Sequence, residues 1–546
     1  MPGHDLRCLR LASLLAAAGA MVPRPAVAVD WFEIVERCRT AVPLWAGEPP
    51  PTVAALAEAL AKVDAGKTAV DLGISTDASV PDPVSRRKWP SPDEAARVIA
   101  STKTLHRIKR LVLDGFPLTP EAARALAGSP HLAALEELSL VDAHVTGPVL
   151  HELLAPGAFP ALVALDLGGN RFKDTELEAL ATLLAGRHLR RLGMGARTWH
   201  VSTPTMPDVG AAAKARLPHT LAGAATLARV AATPTLELLE LGVEPLAAAD
   251  LEALLRTERK QPLEIATPAL ARATRKQMAV LAALDSVGPL VFAMAGTSIG
   301  ASSLRALEAS GLLAMVTSLQ VDCGDTCAQV IARSKNTARL RELIFGCNDD
   351  TQSSDATYRA LAHADGLSAL RTLAFHADAE LCQGAGGVGR TGLAALLKAS
   401  FAPRLESLTL NELGLGDAGY ALLARTKALP ALKELLISEE DDVISPATAV
   451  ALVRDGPLAH QLEVLRILSE GWQWPIATVA NSIRMPKLRV FELSPGAAGE
   501  EQDWLRLAHA PGLRSVETIS LSAGWNGGAV MRALRKHLPA ACIVTD

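Results

Sequence analysis

Four stretches of the chain carry residue types that do chemistry elsewhere. Residues 384–392 read GAGGVGRTG and open into the apolar LAALL. This is close to the glycine-rich loop that holds phosphates on backbone N–H groups, with Arg390 where that chemistry needs a lysine. Residues 296–300 read GTSIG, the G-x-S-x-G spacing of a nucleophile elbow, between a strand-like LVFAM and a helix-like ASSLRALEA. Cys323, Cys327, Cys347 and Cys382 fall in one part of the chain, as thiolate ligands of a zinc ion would. Arg86, Arg87, Lys88, Arg97, Lys103, Arg107, Lys109 and Arg110 face only Asp93 and Glu94 in the same stretch. With Trp89 beside them they have the composition of a phosphate-backbone contact.

Each of these readings depends on the elements that would position the side chains. The 546 residues are enough for three or four ordinary domains, unless internal repetition makes one elongated body. A net charge of −4 with 21% charged residues gives no global field favouring nucleic acid or an acidic membrane surface, so any such contact must be local. Hydrophobic residues reach 49% while aromatics are only 3%, which suits many thin, similar layers of leucine, alanine and valine. The seven cysteines are irregularly spaced, unlike a disulfide framework, and a mostly reduced protein is expected. No stretch has the unbroken apolar length of a membrane span.

Two readings fit residues 1–28. Arg7 and Arg10 before LASLLAAAGAMV, with Ala26 and Ala28 as an A-x-A cleavage pattern, look like a signal peptide, against Asp5 and Arg24. Alternatively the start is misassigned and the chain begins near Val29, where Asp30, Trp31 and Phe32 open an amphipathic segment. Export and a cytoplasmic location both stay open.

The organising signal is a repeat. L-x-x-L-x-L begins at Ile108 and recurs at Leu135, Leu162 and Leu189, each 27 residues after the last. Further copies start at Leu236, Val316, Leu340, Leu370, Leu405, Leu432, Leu462, Leu488 and Val516, with weaker ones near Val70, Leu263 and Val287. Each copy is followed by a loop and an alanine- and leucine-rich segment at helical spacing, such as Leu177, Leu180 and Leu184. Each unit is therefore one strand and one helix. The stretch LVALDLGGNRF, with Leu162, Leu165, Leu167, Asn170 and Phe172, resembles the leucine-rich repeat family. The long, helix-containing, divergent units are similar to its ribonuclease-inhibitor-like, bacterial-type members, although the asparagine at the position of Asn170 is missing from almost every other copy.

That resemblance implies an α/β leucine-rich repeat solenoid, a curved horseshoe with parallel strands on the concave face and helices on the convex face. Residues 29–66 are expected as a helical cap, residues 67–546 as the solenoid, and residues 196–235 as an insertion or degenerate repeat.

The repeat frame reassigns the tempting motifs. Leu415, five residues past the last strand leucine, plugs the core, and Gly416 opens the helix; the same step runs from Leu113 to Leu118, Leu140 to Val145, Leu167 to Phe172 and Met294 to Ile299. In that frame Val388 is a plug and Gly389 a helix-start residue. The interval from Phe375 to Val388 is lengthened to 13 residues, and residues 380–387 bulge from the edge. Ser298 aligns with Gly414, where no nucleophile exists. The cysteines read as small apolar thiols at the core margin, with pairing or metal binding by Cys323 and Cys347 left open. The acidic run at residues 439–442 and residues 348–350 lack the spacing of a calcium loop. No catalytic residue, cofactor or metal is expected.

What remains is a surface. Strand alternation points Asp166, Glu240, Gln320, Thr409, Arg466, Glu492 and Ser520 outward, with Ile344 and Leu436 among them. Trp472 and Trp525 fall at plug positions, which leaves Trp474 as an exposed anchor. The expected function is a non-enzymatic scaffold that binds a protein partner through the concave face and the strand-to-helix edge loops, above all residues 376–387. The alternative is a regulatory or accessory protein contacting nucleic acid or anions through residues 86–110.

Overall fold

The computed structural model describes residues 41–43, 52–63, 69–72, 91–170, 172–194, 224–241, 263–266, 290–346, 353–376, 389–411, 413–438, 444–469, 475–495, 501–521, 528–538 and 542–545. The chain falls into two compact units, with the boundary between Met294 and Ala295. In the first, the strands Ala41–Pro43, Ala69–Asp71, Arg110–Val112, Glu137–Ser139, Ala164–Asp166, Arg191–Gly193, Leu238–Glu240 and Leu263–Ala266 each pair in parallel with the next, and Leu263–Ala266 pairs with the start of Leu290–Ile299. The second repeats the arrangement with Val316–Val321, Glu342–Phe345, Thr372–His376, Ser407–Asn411, Glu434–Ser438, Val464–Ser469, Val490–Pro495, Thr518–Leu521 and Cys542–Thr545.

Consecutive parallel strands need a crossover connection, and helices such as Pro120–Ala127, Asp174–Leu184, Gly324–Arg333 and Gly416–Arg425 supply it. The helix starts are written in the sequence. Thr52, Thr119, Ser354 and Ser445 each accept a backbone N–H with the side-chain oxygen, and Pro120 and Pro446 follow their caps at the position where a missing N–H costs nothing.

Register fixes the core. Leu111, Leu138, Leu165, Leu192 and Leu239 stand side by side across five strands, and all are buried. In the second unit Leu319, Leu343, Leu373, Leu408, Leu435, Leu465, Phe491 and Ile519 do the same. Tyr358 of the helix Asp355–Ala362 stacks on Phe375 of the next strand at 4.3 Å, and Phe345 of the preceding strand stacks on Phe375 at 5.2 Å. The helices therefore lie on the face that carries Phe375, and the side chains between the core positions point to the opposite face.

The weaker copies are shifted from their sequence anchors. Register places Val70, Ile265 and Phe292 at the second apolar position of the repeat, in line with Leu111 and Leu239. The residues three before Ile265 and Phe292 are Pro262 and Pro289, so the first leucine of the pattern is absent. Residues 29–66 contribute the helix Val53–Ala61 and also a strand, Ala41–Pro43, aligned with Ala69–Asp71. Arg191–Gly193 pairs directly with Leu238–Glu240, so no repeat strand lies between them, and the helix Ala224–Ala231 belongs to that lengthened interval.

Where the strands begin, charges alternate between neighbours. Lys109 pairs with Glu136 at 2.8 Å, Arg190 with Glu237 at 2.9 Å, Lys433 with Glu406 at 2.7 Å and Arg489 with Glu517 at 2.9 Å. Such solvated pairs contribute at most about 1 kcal/mol each.

Candidate functional site

The outward residues named from alternation form one line in each unit. Ser139, Asp166, Gly193, Glu240 and Ala266 are partners across successive strands of the first unit. In the second, Gln320, Ile344, Ala374, Thr409, Leu436, Arg466, Glu492, Ser520 and Val544 are consecutive partners. Strand spacing sets successive residues of such a line about 4.8 Å apart.

Their exposure is not uniform, and this corrects the expectation that the whole line faces solvent. Ile344 is 1% exposed, Gln320 8%, Arg466 8% and Glu492 9%. Adjacent large side chains on one face cover each other, and Arg466 Nε donates to Glu492 Oε2 at 2.5 Å. Thr409 and Leu436 are half-buried, as are Ser407, Asn411, Glu434 and Ser438 on the same two strands. Leu436, with these polar neighbours on one side and Arg466 on the other, is the accessible centre of the second unit's line. In the first unit Asp166 and Glu240 are half-buried and converge over Gly193, where a Cβ would meet Asp166 Oδ1 at 2.6 Å and Glu240 Oε2 at 3.3 Å. Arg191 Nη2 donates to Glu240 Oε1 at 3.0 Å.

The glycine-rich motif has a structural explanation that sequence reasoning missed. Gly389 caps the helix Arg390–Leu396, and the backbone N–H groups of Gly389 and Gly392 both donate to Asp355 Oδ1, at 2.9 Å each. A helix start attracts an anion, and here the anion is a carboxylate from the preceding repeat. A Cβ at Gly392 would collide with that carboxylate and approach Asp355 Cα at 3.1 Å. The same device recurs. Asp325 accepts from Ser354 N at 3.2 Å and from the hydroxyls of Ser354 and Thr357, and Asp417 accepts from Ser445 N at 2.8 Å. Burial pushes the Asp417 carboxyl up, but hydrogen bonds from the Ser445 backbone and from the Thr448 and Ser445 hydroxyls, with Arg425 nearby, outweigh it and hold the group below the usual carboxylate range.

Asn170 makes a different link, back to the preceding repeat: its Oδ1 accepts from Val145 N at 2.9 Å, and its Nδ2 donates to the carbonyls of Leu140 and Leu167 at 2.7 and 2.9 Å. Asp325, Asp355 and Asp417, each in the first turn of its helix, link forward to the next repeat. The sequence signal was the pair Gly-Asp or Ser-Asp at each helix opening. Replacing Asp355 with alanine is expected to lower stability by about 1–2 kcal/mol, as loss of a helix cap does, measured by urea unfolding.

The serine motif lacks an elbow. Ser298 lies inside the strand Leu290–Ile299, and the chain turns only at Gly300, the cap of the helix Ala301–Ala309. A nucleophile elbow needs its serine on a sharp strand-to-helix turn.

Cys323 is joined to Cys327, four residues on at the start of the helix Gly324–Arg333, with Cα atoms 5.2 Å apart. Both are buried, at the core margin as expected, but as a joined pair and not as two separate thiols. No group of three or more metal-capable side chains occurs among the described residues. In the basic segment, Lys109 pairs with Glu136 and Arg110 with Glu137, so this part is charge-compensated. Arg86, Arg87, Lys88, Trp472, Trp474, Trp525, Cys347, Cys382, residues 1–28 and the edge loop at 377–388 lie outside the described residues. No described helix is long and apolar enough to cross a membrane.

The sequence matches no protein-family model and no curated protein. Among solved structures it is similar to the yeast Rad7 and Elc1 complex, at 15% identity and a TM-score of 0.39, covering 72% of this chain and 82% of the other. It is similar to an internalin of Listeria monocytogenes at 14% identity and a TM-score of 0.29, covering 86% and 99%. The leucine-rich repeat protein LegL7 of Legionella pneumophila is similar at 15% identity and a TM-score of 0.37, covering 62% and 91%. The repeat spacing, the in-register parallel strands and the leucine core between strands and helices carry the assignment themselves: each unit has the α/β leucine-rich repeat fold.

Proposed function

We propose that the chain is a non-enzymatic scaffold that binds a protein partner on the strand face opposite the helices, centred on Thr409 and Leu436. The observation that carries this reading is the half-buried surface of the strands Ser407–Asn411 and Glu434–Ser438, in which Leu436 stands between Glu434 and Ser438 and beside Ser407, Thr409 and Asn411. An accessible apolar side chain among polar and charged neighbours, here with Arg466, Val464 and Leu468 on the other side of Leu436, suits a protein contact. Asp166 and Glu240 are proposed as a second, acidic contact on the first unit, and Trp474 and residues 376–387 as edge contacts. Catalysis is not proposed, because the serine and glycine motifs that suggested it belong to the repeat framework.

The test is affinity capture with the full-length protein and a Thr409→Glu, Leu436→Glu variant. Two carboxylates placed in an apolar contact are expected to reduce capture about tenfold or more while leaving the circular dichroism melt within a few degrees. Unchanged capture would remove this face from the interface.

A further inference from the structure

The helical layer of the second unit contains a cleft of about 840 Å³ that the strand-face reading does not use. It lies between the end of the helix Gly416–Arg425, the helix Pro446–Val450 and the turns Ala451–Asp455 and Pro457–His460. Its lining between the charged residues, here called the floor, is largely apolar, formed by Pro446, Ala447, Val450, Ala451 and Pro457 with Thr478 beside them. Its rim carries Arg425, Lys427 and His460, all exposed.

The cleft has a built-in cause. The turn Ala451–Asp455 is a π-helical turn, closed by Gly456 N donating to Ala451 O at 2.7 Å, and a turn widened by one residue displaces the following chain. Gly456 then passes hard against the preceding repeat. A Cβ there would overlap Ala424 O and come within 2.6 Å of Ala451 O, so glycine is required for the approach. Ala424 neighbours Arg425, and the pinned contact therefore sets Arg425 and Lys427 beside the widened turn.

The charges do not cancel across the rim. Asp455 is held by Arg454, with bonds of 2.7 and 2.8 Å, so its carboxylate is already neutralised. Arg425 lies near Asp417, whose carboxylate is taken up by Ser445 and Thr448, and neither Arg425 nor Lys427 makes an ion pair or side-chain hydrogen bond among the described residues. Two exposed cations beside an apolar floor, against acids that already have partners, attract a ligand that is both acidic and apolar.

We propose that this cleft docks a short segment of a partner protein in which one or two apolar side chains are flanked by Asp or Glu. The apolar side chains fill the floor and the acids pair with Arg425 and Lys427. Inorganic phosphate would leave the floor unfilled. This site goes beyond the strand-face reading and either surface can fail without the other.

The test presents the full-length protein to an array of short peptides carrying Leu or Phe pairs flanked by Asp and Glu. A matched array carries Asn and Gln instead. Selective retention of the acidic set is expected, weakening with salt and falling about tenfold to a hundredfold in an Arg425→Glu, Lys427→Glu variant. That variant is expected to bind peptides with Lys in place of the acids. An Ala447→Trp variant, which fills the floor and leaves the rim charges in place, is expected to lose binding too. The Thr409→Glu, Leu436→Glu variant keeps it, separating this site from the strand face. Equal retention of both arrays, no retention of the acidic array, or undiminished binding by the charge-reversed variant overturns the proposal. So does peptide-free binding of anionic phosphatidylserine vesicles that depends on the same two cations, which would make the ligand a membrane.

Discussion

Phe375→Ala is expected to lower the free energy of unfolding by about 3–5 kcal/mol, among the largest losses a single substitution can cause here. Phe375 is fully buried and stands between Phe345 of the preceding strand and Tyr358 of the helix that links the two strands. Its removal deletes contacts with both and leaves a cavity that two rings held by separate elements cannot close. In a repeat array each unit is stabilised mainly by its neighbours, so the break weakens the coupling on either side as well. Urea unfolding followed by circular dichroism reads the loss as a lower midpoint. Thr409→Ala on the opposite strand face serves as the control, with an expected change within about 0.5 kcal/mol. A Phe375→Ala loss below about 1 kcal/mol would mean that the three rings do not share a core.

The second large effect concerns Arg466 and Glu492. Their side chains are 10% and 12% exposed, so the pair is largely desolvated and does not behave like the solvated pairs at the strand starts. Removing the guanidinium leaves Glu492 as a buried carboxylate without its ion pair. Arg466→Met is therefore expected to cost about 3–5 kcal/mol, and Glu492→Leu, which removes the ion-pair partner of Arg466, is expected to cost less. The double variant replaces both charges by apolar groups of similar volume and is expected to recover most of that loss. A double-mutant cycle in urea measures the coupling. If each single variant lost under about 1 kcal/mol, water would be reaching the pair and the line would be more open than the structure shows.

The fold was legible because apolar periodicity records it redundantly. Leu162, Leu165 and Leu167 predict the same strand face that Leu405, Leu408 and Leu410 predict, and register aligns the central residues of each set across neighbouring strands. Legibility weakened where proline took the first apolar position, at Pro262 and Pro289: copies are still recognisable near Leu263 and Val287, but their anchors are shifted because the first leucine is absent. The line of outward residues was readable for the same reason as the core, since side chains alternate with period two. Its burial was not. Whether Arg466 is exposed depends on the length and charge of its neighbour in the next repeat, which alternation within one strand does not encode.

The glycine motif shows a different limit. Local spacing in residues 384–392 resembles a phosphate loop, yet the carboxylate that receives its amides comes from Asp355, 34 residues before Gly389. Nothing within the motif announces that partner. The recurrence of an acid in the first turn at Asp325, Asp355 and Asp417 does, once the repeats are aligned.

The central claim is that a protein occupies the strand face around Leu436, and its most direct measurement is crosslinking mass spectrometry on the tagged full-length protein captured from its own cells. The account predicts a recurrent protein partner whose crosslinks fall on residues 434–438 and their flanking turns, including Lys433, and whose capture is lost in the Thr409→Glu, Leu436→Glu variant. A partner crosslinked only at residues 86–110, recovery of nucleic acid without protein, or capture indifferent to those two substitutions would contradict it.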